Sequence, residues 1–217
     1  MAGVRVALEI GSKRVFASAL DWPGWSRSGK TEQAALEALG AYAARYARVP
    51  LRARVQFPAK LASGFEVIER LPGDATTDFG APGAPAALEA KPMTKAETER
   101  LTALVRACWA EFDRVVKAAP AELRKGPRGG GRDRDKMVAH VLEAEAGYSR
   151  HLALKLPAPA VDDPRGIAAN RKAIIEGIAS GAHGKPMRER GWPARYLARR
   201  IAWHVMDHAW EIQDRSE

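Results

Sequence analysis

Apolar and polar positions alternate from Val4 to Ile10 and again from Lys13 to Leu20, with Gly11-Ser12 between them. Period-two patterning on both sides of a short turn signal predicts a β-hairpin. After the turn Asp21-Trp22-Pro23-Gly24-Trp25 the period changes. Thr31 and Glu32 open an Ala- and Leu-rich run to about Arg48, which predicts a helix stopped by Pro50. Arg52 to Phe57 and Phe65 to Leu71 alternate once more and predict two short strands, the second closed by Pro72-Gly73. Residues 1–72 therefore read as a small ββαβ unit.

Residues 73–92 are rich in proline and glycine and lack apolar periodicity, which predicts an extended, surface-lying connection between two domains. Helical spacing takes over in residues 93–217. Thr94 to Ala119 places Leu101, Leu104, Val105, Cys108, Trp109, Phe112, Val115 and Val116 on one face, with Thr94 and Glu97 as a capping box. Further helices are predicted over about 133–154, 164–179 and 193–214, their limits set by Pro157, Pro159, Pro164 and Pro193. Four long helices joined by short loops predict an up-down four-helix bundle. The fold class read from the pattern is thus two-domain, a small α/β unit followed by an all-α bundle.

Composition changes this picture little. With 46% hydrophobic and 28% charged residues both parts can fold, and no apolar run reaches the roughly 18–20 residues that a membrane span needs. The N-terminus lacks the pattern of a secretory signal, so a cytoplasmic protein is expected. The net charge of +9 raises the question of nucleic acid, but the basic excess is spread over both halves, so nucleic-acid binding and membrane association are not expected. The lone Cys108 sits in the apolar pattern of the first long helix and reads as a buried structural thiol.

Candidate chemistry lies in the histidines. His204 and His208 are four residues apart on the last predicted helix, so both rise from one face and can offer two adjacent corners of a metal coordination shell. His140 shares the apolar stripe of the second helix with Met137, Val141 and Ala144, which would aim it at the same core. His151, three turns further on, and His183, in a Gly-rich loop, read as solvated. Glu143 and Asp207 are candidate carboxylates for orienting the imidazoles.

The segments Met137-Val138-Ala139-His140-Val141-Leu142-Glu143-Ala144-Glu145 and Ile201-Ala202-Trp203-His204-Val205-Met206-Asp207-His208-Ala209-Trp210-Glu211 resemble the DinB-like superfamily, which includes mycothiol- and bacillithiol-dependent transferases. The resemblance covers about residues 93–217. It implies that His140, His204 and His208 hold a divalent ion, Zn²⁺ or Ni²⁺ foremost, with open positions for water or a low-molecular-weight thiol. It also implies an S-transferase or related detoxifying activity that joins a small-molecule thiol to an electrophile, and it is compatible with a homodimer. The alternative is a non-catalytic interaction or regulatory scaffold with a structural metal or none.

The stretch Lys13 to Ala47 looks like the HicB-like antitoxin fold: a hairpin, the turn Asp21-Trp22-Pro23-Gly24, then a helix opening Thr31-Glu32-Gln33-Ala34-Ala35. Trp25 stands where that family has a small residue or cysteine, and no DNA-binding tail accompanies the unit, so docking or ligand sensing is expected rather than toxin neutralisation. Trp22 and Trp25 read as packing residues pinning the turn. The loop from Lys125 to Arg132 reads as a flexible connection, and Arg132 and Arg134 are candidates for recruiting an anionic thiol cofactor to the metal.

Overall fold

The computed structural model describes residues 3–58, 64–126 and 130–216. The N-terminal part holds a four-stranded mixed sheet, β1 (Val4–Ile10), β2 (Val15–Ala19), β3 (Ser26–Gly29) and β4 (Phe65–Pro72), in the order β3-β2-β1-β4. β1 pairs with β2 in antiparallel register through the tight connection at Gly11, whose amide bonds the Arg14 carbonyl at 2.9 Å. β4 returns parallel to β1, with a bulge between Val6 and Ala7. The strand β3 is absent from the pattern reading, because Ser-Arg-Ser-Gly carries no apolar alternation; pairing with β2, not propensity, makes it a strand.

Between β3 and β4 the expected single helix is broken into α1 (Glu32–Ala41), α2 (Ala43–Tyr46) and α3 (Arg48–Ala53). Thr31 caps α1, accepting from the Ala34 amide at 3.1 Å. Pro50 does not stop the run. It sits in the first turn of α3, where a missing N–H costs nothing. The strand expected over Arg52 to Phe57 is likewise not formed. Arg54 ends α3 in the left-handed region at φ 56°, and the chain beyond it lays Phe57 against Trp22, Trp25 and Tyr46. The alternation there reflects packing on an aromatic cluster rather than a ladder.

The Pro/Gly-rich residues 73–92 are not a bare surface connection. They contain α4 (Ala75–Phe79) and a 3-10 turn at Ala87–Ala90, and Thr77, Ala81, Ala86 and Glu89 are buried. Glu9 of β1 pins this segment by accepting from Thr77 Oγ1 and from the amides of Gly83 and Ala84 at 2.8 and 2.9 Å.

Three of the remaining helices follow the expected limits closely: α5 (Lys95–Ala118) with the Thr94/Glu97 capping box, α7 (Pro164–Ser180) capped by Asp163, and α8 (Ala194–Ser216), whereas α6 (Arg134–Ser149) stops short of the expected residue 154 because Arg150–Leu152 form a 3-10 turn closed by Ala153 in the left-handed region. α8 packs on α5, α6 and α7. It is buried over most of its length, as a central helix must be. One apolar cluster joins sheet and helices, running from Val4, Leu8 and Trp25 to Leu104, Cys108, Phe112, Ile201 and Met206. Gly24, at φ 96°, lies where a Cβ would come within 3.0 Å of Cys108 Sγ and 3.1 Å of Met206, so the Trp22–Trp25 turn seats directly on α5 and α8. Both tryptophans and Cys108 are buried, as read from the pattern. No helix among the described residues is long and apolar enough to cross a membrane.

Two expected outcomes follow from this packing. A Cβ on Gly29 would meet backbone atoms of Ala34 and Ala35 at 2.5 Å. Gly29→Ala should therefore cost about 1–3 kcal/mol, as overpacking against an immobile neighbour does, measured by chemical denaturation. Glu145 of α6 is buried, accepts from Trp109 Nε1 at 2.5 Å, and is pushed up to about 7 by desolvation, with the nearby Arg171 charge opposing. A carboxyl whose folded pKa is raised stays protonated in the native state while the unfolded chain ionises. Its contribution is thus full below about 4.3 and is lost as pH rises to about 7, on the order of 3 kcal/mol. Glu145→Gln should remove that loss, seen as the difference between the two stability curves. His140, His151 and His204, which burial holds below the ordinary imidazole range, act in both proteins with the opposite sign and cancel.

Candidate metal centre

His140 projects from α6, and His204 and His208 from successive turns of α8. Asp133 stands at the N-cap position of α6 without a side-chain cap bond, its carboxylate accepting instead from the Leu123 amide and from Lys125, and Arg134 ties the helix start to the end of α5 by donating to the Ala119 carbonyl at 3.0 Å. From there Met137, Val141 and Leu142 bury the stripe against the core and carry His140 to the α8 side. The Nε2 atom of His204 lies 3.2 Å from Nε2 of His140 and 3.1 Å from Nε2 of His208. One ligand atom from each of the three falls within 4.8 Å of the others. The structure brings together the three histidines singled out in the sequence.

The donor set fits a divalent cation. Zn–N bonds of 2.0–2.1 Å imply N···N separations of roughly 3.0 Å at right angles and 3.3–3.4 Å at the tetrahedral angle, and the two His204 separations fall between these limits. Without a cation the three ring nitrogens crowd lone pairs, since one N–H at most can serve each short contact. His204 is buried, and burial, then the His208 and His140 rings, hold it well below the ordinary imidazole range. His140 is lowered by burial, then by the Arg132 charge. Both are therefore neutral near pH 7, with ring lone pairs available. The three imidazoles bring no negative charge, so a bound dication would retain its full charge.

The group that orients an imidazole is neither of the expected carboxylates. Glu211 Oε2 lies 3.1 Å from His208 Nδ1, which leaves Nε2 as the free lone pair, and Arg215 Nη1 holds the other Glu211 oxygen at 2.8 Å. The bond to His208 pulls the Glu211 carboxyl below the ordinary range. The spacing His208-x-x-Glu211 on one helix face was the available signal. Asp207 instead accepts from Arg27 of β3 at 2.8 Å, with that guanidinium 4.0 Å over the Tyr42 ring, and so fastens the sheet to α8. Glu143 is exposed and acts on His140 by charge, without a hydrogen bond to it among the described residues. His204 Nδ1 is buried without a partner among the described residues.

Around the histidines, the Tyr148 ring stands edge-on to His204 at 5.9 Å, and Arg200 lies 5.5 Å over the Tyr148 ring. Arg132 is exposed, and its charge bears on both His140 and His204, whereas Arg134 is occupied by Asp135 and the Ala119 carbonyl. Of the basic loop, Pro127, Arg128 and Gly129 lie outside the described residues. His183 is exposed and accepts from the Lys185 amide. His151 departs from expectation: it is half-buried and stacked on Trp192 at 3.8 Å, because the chain turns back after α6 and lays it under the loop that precedes α8.

No protein-family model, curated protein or solved structure matches this chain.

Proposed function

We propose that the chain is a divalent-metal protein of DinB-like type, in which α5 to α8 form an up-down four-helix bundle and His140, His204 and His208 are the ligands. In this reading it is a metal-dependent S-transferase that joins a low-molecular-weight thiol to an electrophile. The N-terminal sheet with α1 serves as a HicB-like module for docking or ligand sensing. The observation that carries the reading is the approach of three imidazole nitrogens from two helices to one point. When bound, such an ion supplies Lewis acidity that lowers the pKa of a thiol or water in an open position. The chain's own part is to hold three imidazole donors in place. Glu211 fixes the His208 tautomer, burial keeps His204 unprotonated, and Arg132 adds positive charge that favours an anionic substrate nearby.

The test is turnover of 1-chloro-2,4-dinitrobenzene with a panel of small thiols, followed by absorbance, for metal-stripped and reconstituted protein. Rate enhancement that requires both metal and thiol, and is lost in His204→Ala, supports the reading. Reconstituted protein without enhancement for any thiol counts against the transferase and leaves a metal-bearing scaffold.

A further inference from the structure

Outside the His140–His204–His208 cluster, the chain leaving α6 builds an open cavity of about 600 Å³ lined by Ala153, Leu154, Leu156 and Pro157 together with Arg150, Lys155 and Arg188. Its floor is deliberate packing. Ala153 adopts the left-handed conformation at φ 59°, and the Leu154 amide bonds back to the Ser149 carbonyl at 3.2 Å, so the helix is closed and the chain reversed over α7. Leu154 and Leu156 then lie half-buried against the main core. Gly177 of α7 makes this possible, since a Cβ there would stand 2.8 Å from Leu152 and 3.3 Å from Leu154.

The rim is cationic and uncompensated. Arg150, Lys155 and Arg188 are exposed, and among the described residues none has a carboxylate partner; Arg188 makes only a 3.3 Å bond to its neighbour's carbonyl. Elsewhere on this chain surface cations are commonly paired, as with Arg70–Glu32 and Arg171–Asp113. An apolar floor of this size with three free positive charges at its edge matches an anion that carries an apolar body, and the volume lies within the range of small-molecule sites, roughly 300–1,000 Å³.

We propose that this groove binds a small amphipathic carboxylate, its hydrocarbon part on Leu154, Leu156 and Pro157 and its charged head among Arg150, Lys155 and Arg188. The site is separate from the histidine cluster and does not depend on a metal.

The experiment is isothermal titration of the full chain with octanoate, 1-octanol and acetate. Octanoate should saturate at one per chain, with 1-octanol and acetate each weaker by on the order of tenfold or more. Arg150→Gln/Lys155→Gln/Arg188→Gln should weaken octanoate by on the order of tenfold, as three exposed charge contacts allow, with an unchanged melting temperature. Lys155→Gln alone should give a smaller loss of the same sign. Absence of saturable octanoate binding, equal affinity for octanol or acetate, or equal affinity in the triple variant would each overturn the proposal. So would a wild-type dimer that the triple variant converts to monomer, since that would give the groove to a second copy.

Discussion

Arg199→Met should destabilise the protein by about 3–5 kcal/mol, the cost of leaving a buried charge without its partner. Arg199 of α8 and Glu89 of the 73–92 segment are 3% and 1% exposed, and they meet in a bidentate pair at 2.6 and 2.8 Å. The same guanidinium donates to Ser18 of β2 and to the Ala84 carbonyl, both at 3.1 Å, so one side chain ties the sheet, the Pro/Gly-rich segment and α8 together. Removing Arg199 leaves the Glu89 carboxylate in a dry site with, among the described residues, only the Ala86 amide at 2.8 Å. For a chain of this length the loss corresponds to a melting temperature lower by roughly 10 °C. The double variant Arg199→Met/Glu89→Leu should recover most of it, because the pair's desolvation cost largely cancels its attraction. Thermal denaturation of the three variants checks this. Equal destabilisation in the single and double variants would show that the geometry of the pair, not the orphaned charge, sets the cost.

The second large effect concerns the histidines. Glu211→Ala should lower divalent-metal affinity about 10–100-fold, the range typical for loss of a residue that orients a ligand. His208→Ala, which removes a ligand outright, should lower it further, whereas Asp207→Ala should leave it within a few-fold because that carboxylate faces Arg27. Competition titrations against a chromophoric chelator rank the three. An Asp207→Ala loss larger than the Glu211→Ala loss would contradict the assignment of Glu211 as the orienting group.

Much of this was legible in the chain. Long helices announce themselves through caps and apolar spacing, and the Thr94/Glu97 box, Pro164 and the run ending in Ser216 were read within a few residues. The three histidines were legible for the same reason, since helical phase alone sets which face they share. What failed was decided by tertiary contact. Ser26–Gly29 became a strand through its neighbour β2. Arg52–Phe57 did not become one, because Phe57 found an aromatic cluster rather than a strand edge. The segment after Pro72 looked like a linker because its anchors, Glu9 and Arg199, are charged residues whose burial no local pattern reveals. Asp207 lost its expected role to Glu211 because Arg27, distant in sequence, claims it.

Elemental analysis tests most directly that His140, His204 and His208 act as one metal site. Protein purified without chelator or affinity tag, and then reconstituted with Zn²⁺ or Ni²⁺, should hold close to one ion per chain, and His204→Ala/His208→Ala should hold none while keeping its helical circular dichroism. Metal-free wild-type protein after reconstitution, or equal metal content in the folded double variant, would contradict it.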